Sequence, residues 1–289
     1  MASPSAAPPR FPVSLVVLAR NEEEQIQGCL ESVVGWVDEV IVVDMESTDA
    51  TSDIARRMGA IVISHPRIGN FDRARTPGIL AARNDWILVL DADEEPTPGL
   101  LQVLSNLIGD GSTDALLLPR ANLNLSGWAP HSEKFPEYTL RMFRKSKMDI
   151  EGFDGRIHRF YRPVEGARIQ QVPGSYPSRC LLHFTNPALG PLWAKTDLYT
   201  TEEARQRWSA GTTRPHPWDL VRPLRVFLRR YLLHGGWRDG WHGFWLAWAG
   251  AVYQALIVAK IWEMSLHDGK LPDAPMARLR MRRIVSGSD

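Results

Sequence analysis

The chain has 289 residues, 44% hydrophobic and 23% charged, which suits a folded protein with a sizeable core and excludes disordered or fibrous compositions. The net charge of +1 is unevenly spread: residues 205–289 carry 14 Lys and Arg against 6 Asp and Glu, so the C-terminal part is suited to an anionic partner. Cys29 and Cys180 are too few for a disulfide scaffold and read as free, buried thiols in a reducing compartment.

Residues 1–10, rich in Pro, Ala and Ser, read as a disordered leader. Residues 13–19 form a continuous apolar run of strand length, followed by Arg20-Asn21-Glu22 with no small-residue cleavage pattern. That excludes a signal peptide and predicts a parallel strand buried on both faces. A helix is predicted next, with Asn21 as N-cap and Ile26, Leu30, Val33 and Val34 as its apolar face. Residues 40–43 are a second strand, 51–58 a short helix ended by Gly59, 60–64 a third strand and 86–90 a fourth. Pro77 predicts a break in the helical stretch 71–82. Residues 116–119 and 138–143 read as later strands, and from 191 onward the pattern turns helical and tryptophan-rich. The alternation predicts an α/β fold with right-handed crossovers and an open, mainly parallel sheet flanked by helices.

Three strand ends carry polar clusters: Arg20-Asn21-Glu22, Asp44 with Glu46-Ser47-Thr48-Asp49, and Asp91-Ala92-Asp93-Glu94. Ligands of open parallel sheets bind beyond the carboxyl ends of the strands. One acidic strand end is most often a helix cap; three on one crevice point to a binding site. Asp91 and Asp93, two residues apart after an apolar strand, suit Mg²⁺ or Mn²⁺ held together with substrate phosphates.

The stretches beginning at Val13, Val40 and Asp85, in this order and separation, resemble the family 2 glycosyltransferases of GT-A fold, in particular small enzymes of lipopolysaccharide-core and cell-surface glycan synthesis. The resemblance covers roughly residues 12–100. It implies an inverting, metal-dependent transfer from a nucleotide-diphosphate sugar, with a UDP-sugar as donor and a saccharide or lipid-linked glycan as acceptor. It also implies that Arg20, Asn21 and Glu22 frame the base and ribose and that Asp44 binds the pyrimidine edge. Asp91 and Ala92 would lie at the ribose, Asp91 and Asp93 at the metal, and Arg73 or Arg75 at the diphosphate, where a guanidinium fork matches phosphate oxygens. Two departures stand out. Glu46 occupies a position the family gives to a turn glycine, so that loop must take another path or tolerate strain. Arg159 replaces a Glu that relatives pair with a His, leaving Asp154 and His158 as candidates for the base that deprotonates the acceptor hydroxyl.

Residues 218–234 place leucines and aromatics at near-helical spacing, punctuated by Arg222, Arg225, Arg229 and Arg230. Residues 244–259 contain only Gln254 as a strongly polar side chain, a stretch shorter than the ~20 residues of a simple membrane span. With six tryptophans nearby, two readings compete: a packed helical cap, or a peripheral attachment to the inner, anionic face of the cytoplasmic membrane. Nucleic acid is not an expected partner, for the region is strongly apolar and holds no recognised module. The expected organisation is a leader (1–10), a catalytic domain (11–210), a helical extension (211–270) and a basic tail (271–289). The alternatives are a nucleotidyltransferase, which would need a glycine-rich basic loop after the first strand, and a non-catalytic sugar-binding scaffold.

Overall fold

The computed structural model describes residues 11–67, 71–125, 127–132, 135–150, 161–186 and 188–272. Its contacts divide the chain into two units, the first from residues 1–123 with 135–185, the second from 124–134 with 186–289. The sequence-based boundary near 210 put the first long C-terminal helix with the catalytic domain; by its contacts that helix groups with the C-terminal unit.

The first unit opens with β1 (Phe11–Ala19), α1 (Ile26–Glu31), β2 (Val37–Asp44), α2 (Thr51–Arg57) and β3 (Ile61–Ser64). There follow α3 (Phe71–Ala74), α4 (Thr76–Ala81), β4 (Trp86–Asp91), β5 (Glu94–Pro96) and α5 (Pro98–Gly109). The chain continues with β6 (Ala115–Asn124), the two-residue β7 (Gly127–Trp128) in the second unit, and β8 (Glu137–Arg144). The short strands β9 (Met148–Asp149), β10 (Arg162–Pro163) and β11 (Ile169–Gln171) precede β12 (Leu181–Asn186).

The sheet runs β3-β2-β1-β4-β8-β6-β12-β5. Its first four strands are parallel and β8 is the first to reverse, so the α/β, mainly parallel GT-A-type expectation holds for the half that carries the polar strand ends. Strand β1 lies at the centre of the parallel half and shows why. Val13, Leu15, Val17 and Ala19 enter the core beneath α1, α2 and α5, while Val16 and Leu18 alternate into the core that holds Ala74 and Ile79. A strand buried on both faces must be apolar throughout, and each fully buried Val or Leu contributes roughly 1.5–3 kcal/mol.

Local signals behaved unevenly. Gly59 closes α2 with φ +84°, as its type predicts. The break in 71–82 falls at Arg75, and Pro77 sits in the first turn of α4, where a missing N–H costs no helical bond. Asn21 does not cap α1. That helix starts at Ile26 with no side-chain cap, and Asn21 is used elsewhere. Ile26, Leu30 and Val33 are buried as expected, but Val34 is 67% exposed because α1 ends at Glu31 and the chain turns before it.

The second unit contains α6 (Leu189–Ser209), α7 (Arg222–Leu228) and α8 (Gly240–Leu266), with a 3₁₀ turn before α7 and a π turn, then a second 3₁₀ turn, after it. Ala204 of α6 packs with Ile257, Ile261 and Met264 of α8. Lys260 donates to the Asp197 carboxylate at 2.7 Å, and the Tyr253 hydroxyl to Glu203 at 2.9 Å. The excursion 124–134 joins this unit: Asp239 accepts from the Ser132 backbone and hydroxyl at 2.7 Å and lies 2.7 Å from His131 Nδ1. His242 Nε2 stands 2.6 Å from the carbonyl of Asn124.

Candidate active site

The loops that follow β1 and β2 are laced together. The Asn21 and Glu22 backbone amides donate to the Ser47 and Thr51 hydroxyls at 2.9 and 2.8 Å, and Thr48 N–H donates to Asn21 Oδ1 at 2.8 Å. Asn21 has φ +55°, a conformation its short polar side chain tolerates. Glu46 has φ +56°. The missing glycine is thus met by strain, costing roughly 1–2 kcal/mol, and not by a rerouted loop.

Register fixes the spacing of the acidic groups. Ala19 of β1 lies beside Asp44 of β2, and Leu18 beside Asp91 of β4. The backbones of Asp44 and Asp91 therefore flank one strand, about 10 Å apart at two inter-strand spacings, and the alternation of the strands turns the two side chains to opposite faces. Asp44 is buried; its Oδ2 receives the Ser47 amide at 3.4 Å, whereas Oδ1 has no hydrogen-bond partner among the described residues. Arg20 Nε is likewise buried without a partner there. A buried polar atom left so costs about 1–3 kcal/mol, which a ligand would recover.

Asp91 is enclosed by arginines. Arg75 pairs with its Oδ1 and Arg141 with its Oδ2. Burial alone would raise the Asp91 pKa, but the Arg141 and Arg75 guanidiniums outweigh it and hold the carboxyl well below the usual carboxylate range. Arg141 also donates to the fully buried Glu94 at 2.6 Å, and Arg120 reaches Glu94 at 3.2 Å and Glu137 at 2.9 Å. Arg75, expected at a diphosphate, is thus a buried partner of Asp91, while Arg73 is exposed on α3. Ala92 is buried in the turn between the two aspartates.

Asp93 has a different environment. No arginine ion pair reaches it among the described residues, and its Oδ2 lies 3.4 Å from His183 Nε2 of β12. The Phe184 amide donates to its carbonyl at 2.9 Å, fixing the turn against β12. The carboxylate suits Mn²⁺ or Mg²⁺ if phosphate oxygens complete the shell, and the imidazole favours Mn²⁺ of the two, because Mg²⁺ takes oxygen ligands. Among the described residues, no cluster of three acidic, His or Cys side chains forms a cage of its own.

Asp154 and His158 lie outside the described residues. Sequence reasoning assigned no site role to Arg141, Arg120, Asn122 and His183, which stand in later antiparallel strands whose order no periodicity reveals.

Residues 14–161 match the family model described as Glycosyl transferase family 2. A lipopolysaccharide core biosynthesis glycosyltransferase, LpsC, of Rhizobium meliloti (strain 1021) is 28% identical over 88% of this chain and 93% of its own length. A glycosyltransferase of Rickettsia conorii, RC0292, whose activity is uncharacterized, is 35% identical over 77% of this chain and 82% of its own. Among solved structures, glucosyl-3-phosphoglycerate synthase from Mycobacterium tuberculosis overlaps 47% of this chain and 57% of its own, with TM-score 0.38 and 22% identity.

Proposed function

The chain belongs to glycosyl transferase family 2, and on that premise we propose that it moves a sugar from a UDP-sugar to a hydroxyl of a saccharide or lipid-linked glycan, with inversion. The observation that carries the donor assignment is the pair of buried, unpartnered polar atoms, Asp44 Oδ1 and Arg20 Nε, at the end of the parallel strands. A uracil edge offers an N–H donor and carbonyl acceptors, the complement of that pair. Asn21 and Glu22 follow the same end of β1, and Asp44 and Asp91 end the two strands beside it.

Asp93 and His183 would hold the divalent cation. Asp91 is less suited, since guanidiniums already take both of its oxygens. When bound, the cation would offset negative charge gathering on the departing diphosphate. The acceptor oxygen bonds to the anomeric carbon as the carbon–diphosphate bond breaks, and its proton passes to a base. Asp154 and His158 are the candidates. Glu94 is unsuited to that role, being fully buried between Arg141 and Arg120. In the test, UDP should raise the melting temperature more with Mn²⁺ than with chelator. Asp93→Asn should erase the difference. Equal shifts with and without metal in the wild type would refute the cation-bridged donor.

The second unit supports attachment to an anionic membrane face. Trp241, Trp245 and Trp248 follow i, i+4, i+7 spacing on α8 and are 46–77% exposed. Exposed Trp218, Leu220, Leu224, Leu228 and Leu232 accompany the exposed Arg222, Arg225 and Arg229. An apolar surface rimmed by arginines complements anionic headgroups over an acyl layer. The packed-cap alternative would bury these tryptophans. Helix α8 and its preceding turn are long and apolar enough to cross a bilayer. Its contacts with the polar α6, through Lys260 and Tyr253, favour an in-plane position instead. The protein should co-float with vesicles containing phosphatidylserine, with salt weakening binding without abolishing it. Absence from the floated fraction at low salt would refute the attachment. A lipid-linked surface glycan, on the cytoplasmic side, is the acceptor class that such a position favours.

A further inference from the structure

His183 carries two nitrogens with different company. Nδ1 lies 2.7 Å from Asn122 Oδ1 on β6 and 2.9 Å from the Thr185 hydroxyl, which can donate or accept, and Nε2 faces Asp93. What decides the proton's place is the orientation of the Asn122 amide. Its Nδ2 donates to Glu137 Oε2 on β8 at 2.8 Å, and a carboxylate only accepts. The amide oxygen therefore turns to His183, so Nδ1 must donate. The neutral ring then presents the Nε2 lone pair to Asp93, leaving two acceptors facing one another at 3.4 Å. Two facing acceptors repel unless a proton or a cation sits between them. Glu137 is itself held by Arg120, which donates to Oε2 at 2.9 Å.

We propose that Asn122, oriented by Glu137, is a positioning residue that fixes His183 as the Nδ1–H tautomer and so readies its Nε2 as a cation ligand beside Asp93. The ligand role rests on the reading of Asp93 and His183 given above; the tautomer does not. Three adjacent strands (β8, β6 and β12) supply the relay, so its geometry is set by sheet hydrogen bonding and not by a mobile loop. Partners behind a metal-binding histidine typically alter metal affinity 10–100-fold when removed.

The experiment uses the full chain labelled with ¹⁵N-histidine, at an alkaline pH where the imidazole is neutral. The His183 signals are identified by their loss in His183→Gln. The metal-free wild type should show protonated Nδ1 and bare Nε2. Asn122→Asp keeps an acceptor facing Nδ1 and should keep that tautomer, whereas Asn122→Leu should move the proton to Nε2, where Asp93 accepts it while the Thr185 hydroxyl donates to the bared Nδ1. Mn²⁺ affinity in the presence of UDP should fall about 10–100-fold in Asn122→Leu and by less than about 3-fold in Asn122→Asp. Protonated Nε2 in the metal-free wild type overturns the proposal without any variant having to fold. Wild-type Mn²⁺ affinity in a folded Asn122→Leu overturns it as well. If the wild type binds no Mn²⁺ yet shows the Nδ1–H tautomer, the metal reading fails and the relay stands.

Discussion

Replacing Arg141 by Met isolates the charged network under the site. The Arg141 side chain is 2% exposed and pairs with Glu94, fully buried, and with Asp91, 29% exposed. Methionine fills much of the volume, so the main loss is charge. Breaking a buried ion pair by removing one partner costs about 3–5 kcal/mol, because the other charge stays buried. Here each carboxylate keeps one cation, Arg75 for Asp91 and Arg120 for Glu94, which favours the lower end, about 3 kcal/mol. With a urea slope of about 2 kcal/mol/M, the midpoint should fall by about 1.5 M. Hydrogen exchange in β4 and β8 assigns the loss to the sheet. Asp53 and Arg56 form an exposed pair, and Arg56→Met should change stability by less than about 0.5 kcal/mol. Glu94→Gln should be milder in the Arg141→Met background than in the wild type, since only Arg120 then loses a carboxylate, and it still has Glu137. A loss under about 1 kcal/mol for Arg141→Met would refute the reasoning, showing that two arginines suffice for both carboxylates.

Other consequences can be measured directly. Asp44→Ala should weaken UDP binding about 10-fold by calorimetry while leaving kcat within a few-fold; a kcat loss with unchanged affinity would reassign Asp44 to the chemistry. The folded pKa of Asp91 lies below its unfolded value, so its contribution to stability is complete above about pH 4 and drains away as pH falls through the folded value. Urea midpoints across that range should drop less steeply in Asp91→Asn than in the wild type. Burial, then Glu94 and Glu95, raises the Cys29 thiol well above its ordinary value, and burial pushes Cys180 up to about 11. Native protein near neutral pH should therefore react slowly with iodoacetamide, and both thiols should react promptly in denaturant.

The parallel half was legible because burial on both faces leaves an apolar run that little else produces. Residues 13–19 and 86–90 show it, and their polar ends then located the crevice. Asn21 misled because a cap and a loop tie use the same side chain. Its amide reaches the 47–48 loop, a partner 27 positions away that no local pattern encodes. Arg75 was expected to meet phosphate for its charge, but its position beside β4 gave it to Asp91. His183 and Asn122 were given no role for a topological reason. They approach Asp93 and each other only because β12 runs between β6 and β5.

The excursion at 124–134 has a consequence for the order in which the chain can be completed. Ser132 and its acceptor Asp239 are 107 positions apart, and Asn124 and His242 are 118 apart. On a ribosome, strands through β8 emerge while those partners are still unsynthesised. The excursion must wait, solvated, until the start of α8 is translated. A chain stopped before Asp239 would thus lack more than its last helices, because His131 and Ser132, inside the earlier sequence, would lose the carboxylate that holds them. Removing the C-terminal helices to obtain a minimal catalytic fragment should, for the same reason, strip Asn124, His131 and Ser132 of these hydrogen bonds.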